Sequence, residues 1–107
     1  MNDNPHLNHR LRIRKRYRDH GLGAFADHEI LEMLLFYCIP RRDTNELAHK
    51  MIKDFGSLHN LMDADIRDIM ERTGVNENTA VLINMIPSLA SRYYRGKWNK
   101  KTRLDNE

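Results

Sequence analysis

From Asp27 to Cys38 the chain reads Asp-His-Glu-Ile-Leu-Glu-Met-Leu-Leu-Phe-Tyr-Cys, and past Glu29 it is apolar almost all round, with Glu32 the one charge in it. A helix of that kind is stable in water only when other elements cover it on most sides. The segment is therefore the buried centre of a helical fold, and the rest of the chain has to supply its cover. Asp27 is a good N-cap, Glu29 and Glu32 lie near the positive end of the helix, and Pro40 ends it.

The cover has helical period too. A first helix spans about Asn8 to His20 and stops at Gly21, a natural left-handed terminator. A third opens at Asp43 with Glu46 three residues on, the spacing of a capping box, and carries Leu47, Ala48, Met51, Ile52 and Phe55 up to Gly56. A short helix follows Ser57 (Leu58, Leu61, Met62), and another covers about Asp65 to Arg72 with Ile66, Ile69 and Met70 inward. A long pattern from about Glu77 carries Ala80, Ile83, Ile86, Ala90 and Tyr93, with Pro87 inside it predicting a kink or two consecutive helices. No run alternates with the period of a strand. The expectation is an all-α bundle of five to six short helices: a flexible N-terminus over 1–7, a folded domain over 8–95, and a basic flexible tail over 96–107.

With 107 residues there is room for one domain. Cys38 is the single cysteine, so a disulfide framework is excluded; inside its apolar run it reads as a small buried hydrophobe more readily than as a nucleophile. No leader-like apolar stretch follows the N-terminus, and no run approaches the ~20 apolar residues of a membrane span, which points to a cytoplasmic protein. The methionines Met33, Met51, Met62, Met70 and Met85 read chiefly as core, with an adaptable apolar surface as the other reading.

Net charge is +3, but residues 1–20 hold six basic against two acidic groups, residues 92–107 again six against two, and residues 21–91 six against eleven. Clustered positive charge is the footprint of a polyanion partner, or else of solvated ends. In the first helix Arg10, Arg14 and Arg18 keep four-residue spacing beside Lys15, an unfavourable row of like charge that a polyanion would relieve.

The segment Ile66–Ala80 carries the most specific pattern. It looks like a helix-hairpin-helix, two helices joined by a Gly-hydrophobic-Gly turn with Ala four residues after the second Gly. Gly74 supplies positive φ, Val75 tucks between the helices, Ala80 lets them pack closely, and the backbone of Gly74 to Glu77 is offered to a phosphate. Asn76 stands where the second glycine belongs and is expected to adopt left-handed φ. Thr79 replaces a frequent basic residue, which weakens phosphate contact; the plain alternative is a turn that only builds the core. A degenerate second copy runs from Asp27 to Phe55 around the turn Ile39–Thr44, with Ala48 in the place of Ala80. Its turn carries Arg41 and Arg42, exposed either to phosphate or merely to water.

No cofactor pattern is present. His6 and His9 share a helical face, but only Asp3 lies near them, so neither a metal centre nor an enzyme is indicated.

Several strings together resemble the N-terminal domain of RadC-type DNA repair proteins: His6–Arg12, His20-Gly21-Leu22, Asp27–Tyr37, Ile39–Ala48, Phe55-Gly56-Ser57-Leu58 and Ala90–Tyr94. The resemblance covers residues 6–94. It implies a DNA repair setting and, in the larger family members, a following metallopeptidase-like domain of the JAB/MPN type with a His-x-His zinc pair. No His-x-His occurs in this chain, so the resemblance does not import that zinc site. The expected function is a non-catalytic DNA-binding module that touches backbone phosphates without sequence preference through Gly74, Val75, Asn76, Glu77, Thr79, Arg41, Arg42, Arg10, Arg14 and Arg18. The alternative is an adaptor that positions a partner or a metallopeptidase-like domain.

Overall fold

A computed structural model describes residues 5–40 and 42–105. Six helices follow in order: α1 (Pro5–His20), α2 (Asp27–Phe36), α3 (Thr44–Phe55), α4 (Leu58–Asp63), α5 (Ile66–Thr73) and α6 (Glu77–Asp105), with one 3-10 turn at Leu22–Ala24 between α1 and α2. The described residues contain no strand, in line with the all-α expectation.

Local chemistry explains most of the boundaries. Asp43, Ser57 and Asp65 each sit in extended backbone and accept from the N–H of Asn45, Asn60 and Arg67, capping α3, α4 and α5. Gly56 and Gly74 end α3 and α5 at φ 94° and 79°, where a side chain would be strained. α2 departs from the sequence reading: its N-cap is Ala26, and Asp27 is the first helical residue. Ala26 has no side-chain acceptor, so the work is done from the other direction: Glu29 Oε1 accepts from the Ala26 N–H at 2.9 Å.

The core forms around α2 as its composition required. Leu31 and Leu35 are fully buried against Leu47, Ala48 and Met51 of α3, Leu61 of α4, Ile69 of α5, Val75, and Ala80 and Ile83 of α6. Burying each large aliphatic side chain contributes about 1.5–3 kcal/mol. A smaller cluster of Ile13, Phe25 and Phe36 docks α1 on the other side of α2. Glu32, the one charge of that helix past its first turn, is 1% exposed. It is tolerated because His9 Nε2 lies 2.8 Å from one carboxylate oxygen and Asn45 Nδ2 donates to the other at 3.2 Å. Cys38 is half-buried rather than enclosed.

α6 begins inside the body, where Asn84 Nδ2 donates to the Ala64 carbonyl at 2.8 Å. It continues as one helix through Pro87, so the alternative of two consecutive helices is not realised. From Ser88 to Lys100 every residue is exposed, and the helix runs on through Gly96 where the sequence reading placed a frayed tail.

Candidate nucleic-acid interface

The α5–α6 hairpin has the local geometry its sequence implies at two positions and a different one at a third. Gly74 takes positive φ and donates its N–H to the Met70 carbonyl at 2.9 Å. Val75 is buried between the helices, its N–H donating to Thr73 Oγ1 at 3.3 Å. Asn76 does not adopt left-handed backbone; among the described residues only glycines do. Its side chain serves instead, with Oδ1 accepting from both the backbone N–H and the hydroxyl of Thr79 at 3.0 Å. Asn76 is thus an N-cap for α6, which is why a residue other than glycine fits there. Thr79 is 1% exposed and occupied by that cap, so its hydroxyl faces the hairpin interior.

The surroundings of this hairpin are acidic. Asp65, Glu71 and Glu77 line one cleft between α5 and the start of α6, with Arg67 as its only basic side chain. Arg72 is turned away: it lies over the Phe55 ring at 4.1 Å, faces Asp68 at 3.8 Å and donates to the Asp54 carbonyl. The helix N-terminus favours an anion, but the carboxylates around it oppose one.

The α2–α3 turn has the opposite character. Arg10 reaches it from α1 and donates to the carbonyls of Ile39 (2.8 Å), Pro40 (2.9 Å), Arg42 (2.9 Å) and Phe36 (3.4 Å). Its guanidinium also sits 4.9 Å from the Phe36 ring centroid, and the residue is 7% exposed. Arg42 is exposed, and it lines a cleft with His49, Lys50 and Lys53 of α3, opposed by Asp43 and Glu46. Asp43 is committed to capping α3 at 3.0 Å. Arg41 lies outside the described residues.

On α1 the predicted basic face divides. A four-residue row winds by roughly 40° per step around a helix. Arg10 is accordingly buried, Arg14 half-buried and Arg18 exposed. Arg10 is therefore removed from the phosphate-facing set: its donors are taken up by the turn. Arg14 and Arg18 make no ion pair with another described residue, whereas Lys15 pairs with Asp19 at 2.6 Å and Arg16 with Glu29 at 2.9 Å. The Lys15 hydrogen bond holds the Asp19 carboxyl below its ordinary range. The Ala26 N–H, and then Arg16, do the same for Glu29.

Two residues, and the buried pairing of a third, were missed in the sequence reading. Lys50 and Lys53 passed as ordinary surface charge on α3, although their spacing with Arg42 was there to be read. Glu32 signalled itself as a charge inside the most apolar helix, which demands a partner. Among the described residues no three metal-ligating side chains come together, and no helix is long and apolar enough to cross a membrane.

The chain is similar over its full length to a UPF0758 protein of Fusobacterium nucleatum subsp. nucleatum, at 34% identity over 107 residues, covering 46% of that protein. It is similar to a UPF0758 protein of Ruegeria pomeroyi at 33% identity over 89 residues, 83% of this chain and 40% of that one. The chain thus spans less than half the length of these curated relatives. No solved structure matches it. The UPF0758 N-terminal family model matches residues 5–81, from the start of α1 into the first turns of α6. That stretch holds both hairpins and the Arg10 clamp, and the chain belongs to the UPF0758 family, whose N-terminal domain it carries.

Proposed function

We propose that this domain is a non-catalytic, cytoplasmic DNA-binding module that contacts backbone phosphates without reading sequence, and that it serves DNA repair as its RadC-type resemblance implies. The observation that carries the proposal is the α2–α3 turn, whose backbone is fixed by Arg10 while Arg42, Lys50 and Lys53 face one cleft. A turn held by Arg10 and flanked by three cations suits a phosphate, and such contacts position a protein on the duplex without selecting bases. This reading moves the main contact from the Gly74 hairpin, where carboxylates crowd the helix start, to the α2–α3 turn; Arg18 and Arg14 extend the basic surface along α1. In the longer relatives the module would bring whatever domain follows it to DNA.

The test is fluorescence anisotropy of labelled duplex, single-stranded and junction DNA at about 50 and about 200 mM salt. Binding that weakens steeply with salt and is lost in an Arg42→Ala/Lys53→Ala variant supports the proposal. Absence of binding at the lower salt, or binding indifferent to these residues, rejects it.

A further inference from the structure

Two histidines from different helices lie face to face beside the basic cleft. The rings of His28, in the first turn of α2, and His49, midway along α3, stack with centroids 4.0 Å apart and planes 26° from parallel. His28 is half-buried and His49 exposed. His49 shares one face of α3 with Glu46, Lys50 and Lys53, and with them lines the cleft that Arg42 and Asp43 complete. Contact with a half-buried ring limits where the His49 ring can turn.

That position ties the charge of the cleft to protons. Arg42, Lys50 and Lys53 face Asp43 and Glu46, so the cleft carries +1 with neutral histidines and +2 with one proton on the pair. Imidazole is the side chain that ordinarily changes charge between about pH 5 and 8. A second proton would set two like charges face to face, so the pair acts as a one-proton unit. Asp27 and Glu29 flank His28 in sequence. Other charged groups on the elements packed against α2 and α3 are engaged elsewhere. Arg16 of α1 pairs with Glu29 at 2.9 Å, and His9 of α1 with Glu32 at 2.8 Å. On α4, His59 lies 3.2 Å from Ser57 Oγ, and on α5, Arg72 donates to the Asp54 carbonyl. The three cations of the cleft oppose a proton on His49, and a phosphate among them would favour it.

We infer that the His28–His49 stack is a proton-linked phosphate contact: protonated His49 joins Arg42, Lys50 and Lys53 on the DNA backbone, and DNA bound in this cleft takes up a proton. The inference rests on the phosphate reading of the cleft and adds its regulation by pH. His28 is a positioning residue, acting through the ring of His49. The complex holds more protons than its free components, so affinity rises as pH falls through the imidazole range and the gain is lost as pH rises back through it. One linked proton changes affinity by at most about tenfold per pH unit. One further phosphate neutralised steepens the slope of log affinity against log salt by about 0.9.

Fluorescence anisotropy of labelled duplex DNA, with salt titrations at about pH 8 and about pH 5.5, tests this on the whole chain. The parent should bind several-fold more tightly at the lower pH, with a salt slope steeper there by up to about 0.9. His49→Asn should lose both differences. His49→Lys, which carries a permanent charge, should lose the pH dependence by binding at pH 8 with the steeper slope. His59→Asn, a histidine outside the cleft, should keep the parent's response. Equal affinity of the parent at the two pH values overturns the inference while leaving DNA binding itself intact. So does a pH response that survives His49→Asn or disappears in His59→Asn. A chain that binds DNA at neither pH at low salt rejects the phosphate reading, and this inference with it.

Discussion

Arg10 donates a 2.9 Å hydrogen bond to the backbone carbonyl of Arg42, so a buried arginine on α1 sets the backbone that carries an exposed one at the start of α3. The two residues lie 32 apart in sequence. Their roles in the fold are separable: one holds the turn, the other faces outward from it.

Removing the first should unfold more than it unbinds. Arg10→Ala leaves four carbonyls without their donor, three of them within 2.9 Å of it at present. Hydrogen bonds to charged groups contribute about 1.5–3 kcal/mol each, not additively, so a loss of about 3–5 kcal/mol is expected in urea denaturation. Arg10→Lys should recover only part of it, because an ammonium lacks the planar fork that spans several acceptors. A variant within about 0.5 kcal/mol of the parent would refute the clamp.

Arg42→Ala should do the reverse. Stability stays within about 0.5 kcal/mol, as for an exposed residue with no partner to lose. If Arg42 neutralises one phosphate, the slope of log affinity against log salt should become shallower by about 1, whatever the sequence of the DNA. A slope unchanged while affinity falls would mean that Arg42 does not act through phosphate.

Asn76 separates two accounts of the α5–α6 turn. As an N-cap it accepts from Thr79, so Asn76→Ala should cost about 1 kcal/mol, Asn76→Asp little, and Asn76→Gly only a few tenths. A backbone position needing left-handed φ would behave differently: glycine would stabilise and aspartate would offer nothing. Gly74 does need that φ, and Gly74→Val should cost about 1–2 kcal/mol although no atom lies within 4 Å of the added Cβ. Thermal unfolding of this set of variants decides between the two.

Acid should loosen α2 at its start. The folded-state pKa of Glu29 is depressed, first by the Ala26 N–H and next by Arg16. The stabilisation is therefore complete above the ordinary glutamate pKa of about 4.3 and is lost as pH falls through the lower folded value. The parent should lose stability relative to Glu29→Gln as pH drops from about 5 toward 3, with the two curves converging at the acid end. Parallel curves over that range would show that Glu29 contributes nothing through its charge.

Elements whose signals are local could be read directly from the chain. Asp43, Ser57 and Asp65 announce helix starts, Gly56 and Gly74 announce stops, and the apolar Asp27–Cys38 run announces the core, because each depends on neighbours within one turn. The acidity around the Gly74 hairpin was equally legible in Asp65, Asp68, Glu71 and Glu77, but a motif-led reading weighs the turn and overlooks its flanks. Arg10 was harder. Within a run of arginines nothing in composition says which one is buried; only Ile13, three residues on and 5% exposed, marks the inward face that Arg10 shares. What Arg10 binds depends on where α2 ends, which no local pattern fixes. Asn76 was misread because its two means of replacing glycine, a tolerated backbone angle and a capping side chain, look alike in sequence.

The unbroken passage of α6 through Pro87 to Asp105 makes angle as well as distance a fixed quantity. Each residue of a helix advances about 1.5 Å and turns about 100°. Inserting a single residue between Leu89 and Tyr93 would therefore barely lengthen the molecule, yet it would swing everything beyond it to another side of the body. A four-residue insertion would restore the phase to within about 40° while adding about 6 Å. In this family the spacing between the globular part and the far end of α6 should be conserved in phase before it is conserved in length.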